Sequence, residues 1–413
     1  MDQHTFSSHG KPFSFRCTMS PSRRVSRKEE NSPLGRTVLE YAHDNAGHLL
    51  EVRRNGICIE KYTYDDQGRR SEDYRSWSGG SRHFIYGYDG ALIRVNDAYL
   101  EWTPQGQLRA IQANADRMEY EYGDDTRLDQ IGLPSGMTVQ YEYGSGLMPV
   151  RVLEDREPVY EYAWQDDTRL RQCIDIRNGL TYDFSYGKGR VPQSVHVQAP
   201  AHVLRSILGT DASSLRLRVW VDQVGSIRVL GTEDGRVLKA LDYDAFGNVT
   251  HETRTQWHFP LGFACGLNDV YTGFVRFGYR DYDPQVGRFT AKDPIGYTGG
   301  DNDLWDYCVD DPVGNLDPKG LLGIKAILSA THTGANIAGM GLAGLAFPAQ
   351  ANEPEKIISI REEYDRLREK GIQTDTEGYR LWQLWQEDMR LREKYRDHYE
   401  KLHEFYKDYP PIK

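Results

Sequence analysis

Cysteine is scarce and poorly placed for crosslinking. The residues Cys17, Cys58, Cys173, Cys265 and Cys308 are odd in number and show no CxxC spacing, which argues against both a disulfide framework and a zinc site. Scattered, reduced thiols suit a protein that folds in a cytoplasm. The N-terminus has no apolar run ahead of a small-residue cleavage site, so no signal peptide is expected and export would need a specialised secretion system. Positive charge is also short, with 51 Lys and Arg against 61 Asp and Glu and a net charge of −10. No nucleic acid is therefore expected as a partner of the main body. There is no P-loop, no G-x-S-x-G elbow and no dinucleotide fingerprint. The histidines are dispersed; His398 and His403 miss the i, i+4 spacing of helical metal ligands. Neither a cofactor nor a metal is expected.

Tyrosine and glycine are abundant instead, at 27 and 40 residues, while the hydrophobic fraction is only 38%. Tyrosine suits a half-buried pleated surface and glycine supplies turns, so the composition points to an all-β body. Residues 1–36 carry Ser, Pro and Arg without evident hydrophobic periodicity and read as a disordered leader. Within it Arg23, Arg24, Arg27 and Lys28 read as a solvated basic arm. From Thr37 self-similar units begin. They include Tyr62-Thr-Tyr64-Asp65 with Gly68, Tyr86-Gly-Tyr88-Asp89-Gly90, Tyr120-Glu-Tyr122, Tyr141-Glu-Tyr143, Tyr160-Glu-Tyr162 and Tyr243-Asp244 with Gly247. The leading aromatics recur roughly every 20 residues, a period that calls for a repeat architecture. In Y-x-Y both rings fall on one face of a strand, and the Asp and Gly that follow close a tight turn. One such hairpin cannot bury its aromatic face alone; stacked neighbours can, which predicts a long, curling antiparallel sheet. Trp77, Trp102, Trp164, Trp220, Trp257 and Trp305 are expected to pack in it.

The pattern Y-x-Y-D-x-x-G-x-[LR] resembles the YD repeat of Rhs proteins, teneurins and the toxin-complex B and C components, over about residues 37–321. A sharper likeness lies in Arg280-Asp-Tyr282-Asp283-Pro284 with Gly287-Arg288-Phe289, then Asp293-Pro294-Ile-Gly296, then Pro312 with Asp317-Pro318-Lys319-Gly320-Leu321. Together these are similar to the Rhs-associated core signature. The resemblance implies a YD-repeat β-hairpin spiral that forms a shell over residues 37–270, followed by a core with an autocleavage motif over 271–321. Fewer than 300 residues of repeat are few for a closed cavity. A second shell-forming polypeptide, or self-association, is therefore expected to complete it.

The resemblance further implies an aspartyl autoprotease acting once, cutting between Leu321 and Leu322, with Pro312, Pro318 and Gly320 part of the cleavage motif. Two carboxylates suffice, because like charges sharing a site raise one pKa so that one acts as acid and the other as base. The Rhs pattern points to Asp293 with Asp317. The toxin-complex pattern points to Asp281 with Asp293, with Arg280 holding a carboxylate or the oxyanion. Asp-Pro-x-Gly is also an ordinary turn signal, so these aspartates could serve only as turn formers.

After Leu321 the composition changes. Residues 324–347 are rich in Ala, Gly, Leu and Ile, and Ala335, Gly339 and Ala343 form a small-xxx-small stripe. A shell-enclosed segment is the favoured reading, with membrane insertion the alternative. Two helices are then expected, over 355–370 and from a capping box at Thr374 and Glu377, giving a small α-helical tail over residues 322–413. In the family this region is a variable toxin, and an immunity protein would be its partner. The function expected is thus an Rhs-type polymorphic toxin shell that releases its own tail for interbacterial or host-directed delivery. The alternative is a non-cleaving cell-surface, adhesion or carbohydrate-binding YD module, or a truncated relic.

Overall fold

A computed structural model describes residues 5–8, 12–123, 126–296, 303–321 and 324–325. These belong to the first of two compact units, Met1–Met340; the second, Gly341–Lys413, lies outside the described residues. The expected apolar segment beyond residue 325 and both tail helices fall there too.

The body is all-β. Twenty-three strands, from Thr5–Ser8 to Val249–Glu252, form one sheet in which each strand pairs antiparallel with the next in sequence. One helix, Ala201–Leu208, interrupts the meander and seats Leu204 and Leu208 in the core.

The repeat has a structural rule. A register shift falls at the last aromatic of a strand, at Tyr64, Tyr86, Trp102, Tyr122, Tyr143, Trp164, Tyr186 and Tyr243. Tyr88, expected on a strand with Tyr86, instead lies exposed in the turn. The extra residue is on the following strand, as Ser71 is opposite Tyr64; a bulge bends its strand and adds twist, so a bulge in every repeat curls the sheet. The ring opposite it reaches back to the start of the preceding strand. The Tyr64 hydroxyl donates to the Leu49 carbonyl at 2.8 Å, Tyr86 to Arg70 at 2.7 Å, Tyr143 to Leu128 at 2.8 Å and Tyr186 to Leu170 at 2.9 Å. Where tryptophan replaces tyrosine the donor survives, with Trp102 Nε1 on Leu92 and Trp164 Nε1 on Pro149, both at 2.7 Å. The turn that follows is closed by its first side chain. Asp65 Oδ1, for example, accepts from the amides of Gln67 and Arg69 at 2.9 Å, and Gly68 takes a φ of +80°.

The curl brings the two ends of the sheet together. Phe13, Phe15, Cys17, Met19 and Val25 share one core cluster with Trp220, Val229 and Phe246. Buried charges stitch the same seam. Arg228 binds Glu30 at 2.8 Å and Asp242 at 2.6 Å, Lys28 binds Glu30 at 2.7 Å, and Arg54 reaches Asp242 at 2.6 Å.

This corrects the expected leader. Residues Ser14–Met19 and Val25–Ser32 are strands, and residues 13–19 alternate strictly between buried and outward positions. The outward set, Ser14, Arg16 and Thr18, gave the segment its polar look and hid the period of two. Lys28, taken for part of a solvated arm, is buried on Glu30. Trp77 also departs from expectation, since it sits in a turn and is 38% exposed. The chain leaves the large sheet after Glu252, earlier than the expected boundary at residue 271. A small four-stranded sheet follows, made of Leu267–Asn268, Val275–Phe277, Arg280–Asp283 and Arg288–Phe289.

Removing Arg228 would leave Glu30 and Asp242 buried with reduced compensation. Arg228→Ala should lower unfolding stability by about 3 kcal/mol in urea titration. A loss within experimental error would show that the seam carries no weight.

Candidate active site

The site is assembled around Arg280, the first residue of the strand Arg280–Asp283 and 2% exposed. Its guanidinium lies over the Phe289 ring, 3.6 Å from the centroid. Nη2 contacts Asp293 Oδ2 at 2.8 Å and Asp317 Oδ2 at a longer 3.5 Å. Nε donates to the Gly320 carbonyl at 2.6 Å, and Nη1 to the Leu304 carbonyl at 3.1 Å. One cation thus meets two aspartates and the main chain one residue ahead of Leu321.

Both aspartates sit at the head of a D-P-x-G turn. In the first the Gly296 amide donates to the Asp293 carbonyl at 2.9 Å; in the second Gly320 does the same to Asp317 at 3.4 Å. Gly296 and Gly320 take φ of +61° and +68°, which glycine adopts without strain. Gly320 is needed for a second reason, because a Cβ there would lie 2.4 Å from the Phe277 carbonyl oxygen. The second turn presses on the strand pair that presents Arg280, and the Tyr279 amide donates to the Lys319 carbonyl at 2.9 Å. Leu321 follows the second turn, and the flanking segments Asn315–Leu316 and Ile324–Lys325 pair as antiparallel strands. Leu322 itself is outside the described residues.

The two carboxylates are not equivalent. Burial pushes the Asp293 carboxyl up to about 6, against the pull of Arg280 and of the Ile295 amide, with the nearby Asp317 adding to the rise. Asp317 is 2% exposed and its Oδ1 has no hydrogen-bond partner among the described residues. A carboxyl raised to about 6, beside a second buried aspartate with a spare oxygen, is an arrangement suited to acid–base work on an amide.

The structure does not bring Asp281 into this group. Its carboxylate faces Arg276 Nη1 at 2.7 Å, and burial raises its pKa against that pairing. Asp281 and Arg276 instead line a cavity with Tyr141, Tyr160 and Tyr162. Pro312 and Pro318 occupy the limb and the turn that lead to Gly320. Among the described residues no group of His, Cys, Asp and Glu could hold a metal ion.

Several parts of the site left no sequence signal. The Leu304 carbonyl comes from outside every motif. Cys308, Val309 and Asp310 all hold left-handed φ, +61°, +54° and +49°, with no glycine to announce the turn. Such residues cost on the order of 1–3 kcal/mol each and persist only where surroundings impose them.

The fold and site together define a YD-repeat β-shell segment with a D-P-x-G core. A family model described as Teneurin YD-shell matches residues 206–302. The chain is 27% identical over 364 residues to "Double-stranded DNA deaminase toxin A" of Burkholderia cenocepacia (strain H111), covering 74% of this chain and 25% of that protein. It is 26% identical over 369 residues to "Probable deoxyribonuclease RhsA" of Dickeya dadantii (strain 3937), covering 83% and 24%. Against "Teneurin-3" of Danio rerio it is 24% identical over 282 residues, covering 67% and 10%. A solved structure titled "Crystal Structure of TcdB2-TccC3-TEV" superposes over 76% of this chain and 19% of its own, with a TM-score of 0.46 and 15% identity. The chain spans a quarter or less of the length of these curated relatives. Its repeats are thus similar to those of the Rhs and teneurin proteins.

Gly320→Ala should destabilise the chain by about 3 kcal/mol through left-handed strain and the clash with Phe277. Chemical denaturation in an Asp293→Asn background measures this free of any cutting. An unchanged midpoint would show that the turn is not pressed against the strand.

Proposed function

We propose that this chain is part of an Rhs-type toxin shell that cuts itself once after Leu321, freeing residues 322–413 as cargo for delivery into another cell. The observation that carries the reading is the shared guanidinium. Asp293 and Asp317 both contact Arg280, which also binds the Gly320 carbonyl beside the expected scissile bond.

In this reading Asp317 is the base and Asp293 the acid. Asp317 takes a proton from a water as the water oxygen adds to the Leu321 carbonyl carbon. Protonated Asp293 donates to the carbonyl oxygen as negative charge develops there. The tetrahedral intermediate collapses as one of its hydroxyls returns a proton to Asp293 and the carbonyl re-forms; the carbon–nitrogen bond breaks, and the Leu322 nitrogen leaves with the proton that Asp317 had taken. Arg280 holds the two carboxylates at one place and fixes the approach of the chain through Gly320. Loss of the tail makes the event a single turnover.

Two bacterial relatives are named for action on DNA, which supports reading the tail as an effector without fixing its target. A shell-forming partner or a second copy would add to the strands Thr5–Ser8 and Val249–Glu252, each of which pairs on one side only among the described residues. An immunity protein would guard the producing cell.

Mass spectrometry of the expressed chain should find a fragment beginning at Leu322, absent from Asp293→Asn and from Asp317→Asn. An intact wild-type chain, above all one that binds glycans on an array, would instead favour the adhesion reading. The pH dependence follows from Asp293. The acid is half protonated at about pH 6, so cleavage on refolding should slow roughly tenfold per pH unit above that point. A rate that rises through pH 6–8 would remove Asp293 from the acid role.

A further inference from the structure

The left-handed turn Cys308–Val309–Asp310 is held by a partner far away in sequence. Arg70 Nη2 donates to Asp310 Oδ1 at 2.7 Å across a separation of 240 residues, and both side chains are buried. Arg70 opens the strand Arg70–Arg75 in the early repeats. Its guanidinium also lies 3.8 Å from the Phe246 ring centroid, and its Nη1 donates to the Val286 carbonyl at 3.2 Å. Asp73 of its own strand is a longer 3.8 Å away, so the short contacts of Arg70 form only when the early repeats have closed on the end of the repeats and on the core.

The limb that carries the turn is tied down elsewhere as well. Trp305 Nε1 donates to the Gly106 carbonyl at 2.9 Å, and Gln223 Nε2 donates to the Val313 carbonyl at 3.3 Å. His43 Nε2 lies 3.4 Å from Asp311 Oδ1. Within the limb, the Asp310 amide donates to Asp306 Oδ2 at 3.1 Å and Asn315 Nδ2 to the Cys308 carbonyl at 3.3 Å. The limb ends at Asp317. A β-branched valine with positive φ is unfavourable by itself, so a limb released from Arg70 would relax toward ordinary geometry and reorient every residue beyond it.

Resting on the self-cleavage reading, we propose that Arg70 and Asp310 are a positioning pair that withholds cleavage until the early repeats have wound onto the core. Neither touches the reacting atoms. The pair acts through the turn, which sets Asp317 against Arg280. Cutting then reports that the container is assembled, and cargo is not severed from an unfinished one.

The test uses the full chain refolded from denaturant, with cleavage followed by mass spectrometry. Asp310→Asn keeps the shape of the side chain and removes its charge, and Arg70→Lys keeps charge but loses the forked reach. Each should slow cleavage by about a hundredfold, as expected for a displaced catalytic group, while Asp310→Glu recovers most of the rate. In the non-cutting Asp293→Asn background, amides of residues 303–321 should exchange about tenfold faster when Asp310→Asn is added, with Pro192–Gln198 unchanged. Wild-type cleavage with equal rates in both pair variants overturns the lock alone. Faster exchange of 303–321 without slower cutting also overturns it, since the pair would then be only a brace. A wild-type chain that never yields a fragment starting at Leu322 overturns the self-cleavage reading, and the lock falls with it.

Discussion

The bond from a half-buried aromatic donor to the main chain of the strand before it is the constraint on which the rest of this molecule stands. A strand edge one repeat long has no partner of its own, and a ring half in the core has a polar tip that must be satisfied. A bulge opposite the last aromatic of each strand accompanies that bond. The extra residue bends the following strand, while the hydroxyl or indole nitrogen reaches a carbonyl of the preceding one. Because one interaction sets both the spacing between strands and the curvature, the sheet must coil as it lengthens. Tyr122 and Tyr243 are the exceptions, since neither buried hydroxyl has a hydrogen-bond partner among the described residues. Tyr122 lies where the core meets the sheet and the Leu108 amide donates to the Thr290 carbonyl.

Coiling alone does not decide where the sheet stops turning. Apolar faces slide past one another at little cost, but buried charges match at one register only. Glu30, Arg228, Asp242 and Arg54 meet across the seam from four different strands. A second group places Arg75 3.2 Å from Asp244 and 3.3 Å from Asp73, with Glu60 accepting from Tyr62 at 2.6 Å and from the Ala245 amide at 3.1 Å. Such networks add little net stability over apolar packing, and their value is in fixing one arrangement. They set the radius of the coil, and with it where the core and its limb come to rest.

This division explains what could be read in the sequence. Periodic aromatics and D-x-x-G turns are local, so the all-β repeat and the D-P-x-G elements were legible. The bulge was not, since its extra residue lies on the following strand, as Ser71, Asp129 and Val150 do, and nothing in Y-x-Y marks it. The first strands were missed because Phe13, Phe15, Cys17 and Met19 alternate with Ser, Arg and Thr, whose polarity dominates the average. At the site, Arg280, Asp293 and Asp317 were named from motifs, and the structure gathers them. The separation of Asp281 was not legible, because Asp281 follows Arg280 directly and adjacent residues on a strand face opposite sides. That alternation sends Asp281 to Arg276 and leaves Arg280 to the other two aspartates.

The turn reading and the site reading of the D-P-x-G motifs are one physical arrangement. Proline sets φ, glycine accepts the left-handed position, and the aspartate at the head of each turn is left with a side chain that the backbone has already aimed. Two such turns brought to one guanidinium place two carboxylates together without any dedicated scaffold. Burial then does the electrostatic work, because two aspartates with a single cation in a dry site cannot both remain ionised at little cost. Burial raises the Asp293 carboxyl to about 6, against the pull of Arg280 and of the Ile295 amide. The two turns are in this way also what sets a carboxyl of raised pKa beside the chain segment leading to Leu321.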